Sequence, residues 1–127
     1  MVQFKPQNYN SVSPYFVVRG AEEFIQWLEK VFAPQMLRRV DSPEGNLIHA
    51  ELKIDDSVIM VGEAGEHATP NSLMVHVYVS DVNQTFQKAV ATGCEVIQKP
   101  NSKKGEPDRR GGFKDFYGNQ WFIATQL

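Results

Sequence analysis

The sequence has one cysteine, Cys94, so no disulfide can form within the chain, which fits a reducing compartment. It also lacks a surplus of positive charge, with 13 Lys and Arg against 15 Asp and Glu and a formal net charge of −2. Proteins that neutralise phosphates need the opposite balance, so nucleic acid and anionic membrane surfaces are not expected partners. No apolar run approaches the ~20 residues that span a bilayer. The first residues, MVQFKPQNYN, have no signal-peptide apolar core, so export is not expected and the predicted location is cytoplasmic. Serine-hydrolase and paired-cysteine signatures are missing, and Gly111-Gly112 lacks the helix start and lysine of a phosphate loop. A length of 127 residues excludes a large multidomain enzyme and allows one domain, or two half-size modules. With 42% hydrophobic and 22% charged residues, the composition is that of an ordinary folded protein.

What the sequence does hold is a weak internal repeat. YFVVRGAEEFIQWLEKVFA (residues 15–33) and VYVSDVNQTFQKAVATGCE (residues 77–95) share one layout: an apolar strand, a polar break and an amphipathic helix. In the first copy the pattern predicts a strand over 12–19, a break at Gly20 and a helix ended by Pro34. Phe24, Ile25, Leu28, Val31 and Phe32 form the apolar stripe of that helix, and Trp27 belongs with it as core. Strands are predicted over 36–40, 47–54 and 57–62. In the second copy a strand over 73–79 leads to Asp81 as N-cap, a helix to Thr92, Gly93 as its C-terminal stop and a strand over 94–98. Residues 100–112, rich in Lys, Gly, Pro and Arg, read as a mobile loop before a hairpin of 113–116 and 120–125. Each copy is β-α-β-β-β, giving an α+β protein with modules over about 11–62 and 72–126 and a linker over 63–71.

Strand residues alternate between faces, so each strand can be divided into a helix side and an open side. Leu73, Val75, Val77 and Val79 fall on the helix side, with Met74, His76 and Tyr78 opposite. Ser13, Tyr15 and Val17 take the corresponding open positions in the first copy. Over 47–54, Ile48, Ala50, Leu52 and Ile54 are assigned to the helix side and Leu47, His49, Glu51 and Lys53 to the open side. The last strands of the copies contribute Val58 and Met60, and Gln120 and Phe122, to the same open side. If the sheets curl toward each other, these residues line a concave cavity of the kind that holds small molecules.

The ordered set PYFVVRGAEEFIQWLEKVF, GNLIHAELKI-DDSVIM, HVYVSDV and DRRGGFKDFYGNQWFIAT resembles the vicinal oxygen chelate superfamily, which includes glyoxalase I, bleomycin-resistance and extradiol dioxygenase relatives. The nearest likeness is to its glyoxalase-like branch associated with phosphonate operons. The resemblance covers about residues 11–126 and implies paired modules whose mixed sheets form a U-shaped cavity, commonly in a homodimer. Metallated members place ligands in the first and fourth strands of each module, positions that fall here on Ser13, Met60, Met74 and Phe122. None is a good donor for a divalent ion, so no metal and no cofactor is expected. A two-residue slip would bring Tyr15 and His76 into the first-strand positions.

The expected function is therefore binding of a small organic molecule, by Tyr15, His49, Glu51, Met60, Met74, His76, Phe122 and Arg109. His49 and Glu51, two apart on one strand face, are the candidate acid and base; the competing reading is a half-exposed polar strand face. The alternative function is a metal-dependent lyase, isomerase or dioxygenase built on a displaced site of His49, Glu51 and His76. An interaction module with a vestigial cavity is the third reading. Arg38 and Arg39 read as a solvated strand edge or as ligand or dimer contacts. Arg109 and Arg110 read as loop charges that could clamp an anion, and Cys94 as a small buried hydrophobe.

Overall fold

The computed structural model describes residues 3–127, and its elements fall into two units, 3–25 with 33–71, and 26–32 with 72–127. The elements are β1 (Tyr15–Val18), α1 (Ala21–Phe32), β2 (Gln35–Asp41), β3 (Leu47–Ile54), β4 (Ser57–Glu63), β5 (Met74–Tyr78), α2 (Val82–Ala91), β6 (Glu95–Ser102), β7 (Asp108–Lys114) and β8 (Gln120–Gln126). The two sheets repeat one topology, β1-β4-β3-β2 and β5-β8-β7-β6. In each, the strand before the helix runs parallel to the last strand of the module, and the remaining pairs are antiparallel. The protein is thus α+β, with two tandem β-α-β-β-β modules.

In the first unit Phe16, Val18, Phe24, Ile25, Ala50, Leu52 and Val61 are buried. The start of α1 has no side-chain cap of its own. Glu63, at the end of β4, accepts hydrogen bonds from the Gly20 and Ala21 amides at 3.0 and 2.8 Å. A carboxylate there satisfies free amides and sits at the positive end of the helix dipole. Glu63→Ala is expected to cost about 1–2 kcal/mol in urea unfolding; an unchanged midpoint would show that solvent replaces the cap. Asn71 closes the free edge of β1, accepting from Val17 N and donating to Tyr15 O.

The second unit is built on an aromatic cluster. Trp27 and Phe32 from the second half of α1 meet Phe113 on β7 and Trp121 on β8, with centroid distances of 5.1–6.4 Å. Asp81 caps α2 through Gln84 N, and Gly93 follows the helix at φ +87°, as the sequence pattern predicts.

Several expectations are corrected. Residues 12–14 do not belong to β1, which begins after Pro14, a residue with no amide to offer a ladder. The segment over 100–112 is mostly sheet: β6 runs to Ser102 and β7 starts at Asp108, while the expected strand over 113–116 ends at Lys114. Pro100 is tolerated because it lies in the irregular step between the Gln98 and Asn101 pairings of β6. In β3, a register shift makes Ile48 an extra residue between the Val40–His49 and Asp41–Leu47 pairs. Alternation fails there, so Leu47 is buried and Ile48 exposed, the reverse of the expected faces. Val58 is also buried rather than open, and its amide donates to Asn10 Oδ1 in the segment before β1.

Candidate functional site

Each sheet carries a group of polar side chains on the face predicted to hold the site. In the first unit, register places Tyr15 beside Met60, Met60 beside Glu51, and Glu51 beside Arg38, across β1, β4, β3 and β2. His49 lies on the same face, opposite Gly62. Glu51 Oε2 is 2.7 Å from His49 Nε2, and His49 Nδ1 is 2.9 Å from the Tyr15 hydroxyl. Tyr9, from the segment before β1, donates to the other Glu51 oxygen, and Arg38 Nη1 stands 3.8 Å from Oε2. Glu51 is 7% exposed, so it is a buried, partnered carboxylate and not part of a half-exposed strand face. Burial pushes its pKa up, but the hydrogen bonds from Tyr9 and His49 and the charges of His49 and Arg38 outweigh that and hold it below the usual carboxylate range. The bond to Glu51 also raises the Tyr9 phenol.

In the second unit His76 on β5 lies beside Phe122 on β8, which lies beside Gly112 on β7. A Cβ on Gly112 would stand 2.8 Å from two ring carbons of Phe122, so the ring rests on a bare backbone. Arg110 donates from Nε to His76 Nε2 at 3.2 Å and from Nη2 to buried Asp108 at 2.9 Å. Tyr78 donates to the same Asp108 oxygen at 2.7 Å. Burial and the neighbouring Arg110 charge lower the His76 pKa against the opposing pull of Asp108, so neutral imidazole is favoured. The Tyr78 phenol is raised, chiefly by its bond to Asp108. Met74, also predicted to line the site, is 70% exposed at the start of β5.

The loop placement of Arg109 is corrected: it is a strand residue, and its Nε donates to Asn83 on α2 at 2.9 Å. Its neighbour Arg110 shares the face of His76. Arg39 likewise turns to α1 and grips Glu22 with two donors, while Arg38 faces Glu51. Cys94 is buried, and burial pushes its thiol up, which suits a packed side chain and not a nucleophile. Tyr9 and Asp108 carry much of the polar geometry without having been singled out for it in sequence, and Arg110 was read there only as a loop charge able to clamp an anion. Arg110 could have been found by reading strand alternation through Gly111-Gly112; Tyr9 has no local signal.

The positions that the resemblance associates with metal ligands do not suit a divalent ion. Ser13 precedes β1, and the strand neighbours of Met60 and Phe122 are Tyr15 and His76, which is the two-residue slip. In that register the first sheet offers a phenol and a thioether, and the second a phenyl ring and an imidazole whose Nε2 accepts from a guanidinium. Both ring nitrogens of His49 are engaged within the first unit. Among the described residues no group of three or more His, Cys, Asp and Glu side chains is placed to hold a metal ion. No helix among them is long and apolar enough to cross a membrane.

Relatives share both fold and sequence. An uncharacterized protein of Mycobacterium bovis is 33% identical over 128 residues, covering 92% of this chain and 84% of its own length. Among solved structures, TioX from Micromonospora sp. ML1 superposes with a TM-score of 0.73 at 24% identity, over 92% of this chain and all of its own. A fosfomycin resistance protein, FosX, from Listeria monocytogenes gives 0.67 at 13% identity, over 93% of each chain. The family model for the Glyoxalase/Bleomycin resistance protein/Dioxygenase superfamily matches residues 10–123, running through both modules. The duplicated topology and this match together make the chain a member of that superfamily.

Proposed function

We propose that the protein binds a small organic molecule with an apolar body and an anionic group, and does so without a divalent metal ion. The observation that supports this is a pocket of about 250 Å³ in the second unit, in which Phe122 and Arg110 are joined by Gln98, Asn101 and Lys103, with Glu106 and Asp108 completing the lining. Phe122 offers the apolar surface whose burial supplies affinity. Arg110 is held by Asp108 and His76, yet its Nη1 has no partner among the described residues. A pinned guanidinium with free donors suits a carboxylate, sulfonate or phosphonate, since little side-chain entropy remains to be lost. Asp108 is offset by Arg110 and Tyr78, and Lys103 adds a second cation. Membership of the phosphonate-operon branch belongs to this reading too; a fold likeness to a PhnB protein from Bacillus cereus, with a TM-score of 0.73 at 16% identity, 91% of this chain and 99% of that one, is compatible with it.

Phenylphosphonate and benzyl alcohol are suitable probes, one anionic and one neutral, titrated after dialysis against a chelator. The expected result is saturable binding and a raised melting temperature with phenylphosphonate only. Arg110→Lys, which keeps a charge beside Asp108, should weaken binding about tenfold while the protein stays folded. Equal behaviour of the two probes, binding that needs added metal, or full affinity in the variant would overturn the proposal.

A further inference from the structure

The first unit carries a second arrangement, separate from the pocket on β8 and independent of that binding reading. An ionised carboxylate only accepts hydrogen bonds, so in neutral His49 the proton sits on Nε2, against Glu51, and Nδ1 presents its lone pair. The Tyr15 hydroxyl, 2.9 Å away, then donates to that lone pair. We propose that Tyr15, His49 and Glu51 form an acid–base triad that makes the Tyr15 hydroxyl a nucleophile toward small electrophilic carbonyl compounds. The order is nucleophile, base, orienting carboxylate, each within hydrogen-bond reach of the next.

Three features of the sheet support it. Tyr15 is 42% exposed, so its oxygen can be reached, while Glu51 is buried and held on its other side by Tyr9 and Arg38. A buried partner fixes one ring orientation of His49. Gly62 gives the phenol its place: a Cβ there would lie 3.0 Å from Tyr15 Cε1 and 3.1 Å from its oxygen. A side chain on Gly62 would therefore oblige the Tyr15 ring to give by a few tenths of an ångström, although Gly62 is not itself part of the triad.

The step is acyl transfer. A bond forms between the Tyr15 oxygen and the carbonyl carbon, and the bond from that carbon to the leaving oxygen breaks. The phenolic proton passes to His49 Nδ1, the leaving group departs with the electron pair, and Glu51 stabilises the imidazolium through Nε2–H. The titratable and charged groups facing His49 are Glu51 on its own strand, Tyr15 from β1, Arg38 from β2 through Glu51, and Tyr9 from the preceding segment; β4 presents only Gly62 there.

The test treats the full chain, with N-acetyltyrosinamide added, with 4-nitrophenyl acetate and maps acetylated tyrosines by mass spectrometry, Tyr117 and the added tyrosine serving as references. At pH 7.5 Tyr15 should be acetylated about tenfold faster than either. His49→Ala and Glu51→Gln should each remove most of that excess, Gly62→Ala should reduce it, and Glu51→Asp should restore part of what Glu51→Gln loses. The wild-type comparison of Tyr15 with the reference tyrosines is a readout that holds even if a variant fails to fold. Acetylation of Tyr15 no faster than of the reference tyrosines, or a full excess persisting in folded His49→Ala, would overturn the proposal.

Discussion

Asp115→Ala is expected to cost about 3–5 kcal/mol, because it strips the acceptor from several buried donors at once. Asp115, in the turn between β7 and β8, is nearly inaccessible. It accepts from the amides of Tyr117 and Asn119, from Asn119 Nδ2 and from Trp121 Nε1, at 2.8–3.0 Å. Asn119 passes the order onward by accepting from Leu73 N ahead of β5. Alanine would leave an amide, a carboxamide and an indole N–H in a space with little room for water, each worth about 1–3 kcal/mol when unmet, partly recovered by relaxation. Asp115→Asn, which keeps one acceptor oxygen, should lose roughly half as much. Urea denaturation with the slope held in view measures both. A loss under about 1 kcal/mol for alanine would mean that the turn rearranges at little cost. The turn also sets the register of β7 on β8, and so whether Phe122 lies over Gly112.

Trp27→Ala should have an effect of the same size, about 3–5 kcal/mol, for a different reason. Its ring is 4% exposed and sits 5.7 Å from Trp121, 5.9 Å from Phe113 and 6.3 Å from Phe32, measured between centroids. Its Nε1 donates to Thr92 Oγ1 at 3.1 Å, tying α1 to the end of α2. Truncation removes contact area from three other rings and leaves a void that aromatic neighbours fill poorly. Trp27→Phe keeps much of the volume and should recover most of the loss, leaving the missing hydrogen bond, about 1 kcal/mol, and a smaller gap. Thermal melts of the three proteins should rank them wild type, phenylalanine, alanine. Phenylalanine and alanine melting together would point to the hydrogen bond as the main contribution.

The repeat, its strand and helix order and the open faces of β1, β5 and β8 were legible in the sequence because they rest on local periodicity. The caps of α2 were legible for the same reason: Asp81 and Gly93 act within a few residues of themselves. β7 was hidden because its sequence, DRRGGFK, has two glycines where a strand normally advertises itself with branched or aromatic residues. Gly112 is needed there by Phe122, ten residues away, and no window short enough to read a strand contains both. The pairing of His49 with Glu51 followed from their spacing. The burial of Glu51 did not, since it depends on Tyr9, 42 residues earlier in the chain. Arg109 and Arg110 are chemically identical in sequence, and only strand register separates the one that meets Asn83 from the one that meets His76.

The division of α1 has a bearing on what a half-molecule could be. The repeat suggests a cut in the segment before β5, but residues 26–32 group with 72–127, and the chain order differs from the spatial grouping by that half-helix. A C-terminal fragment starting at Ser72 would carry all of β5 to β8 and lack Trp27 and Phe32, two of the rings around which those strands pack. The N-terminal fragment would carry those rings without Phe113 and Trp121, which they meet in the second unit. The modules therefore repeat one topology without coinciding with the compact units, and fragment complementation, not independent expression, is the expected form in which separated halves regain the native core.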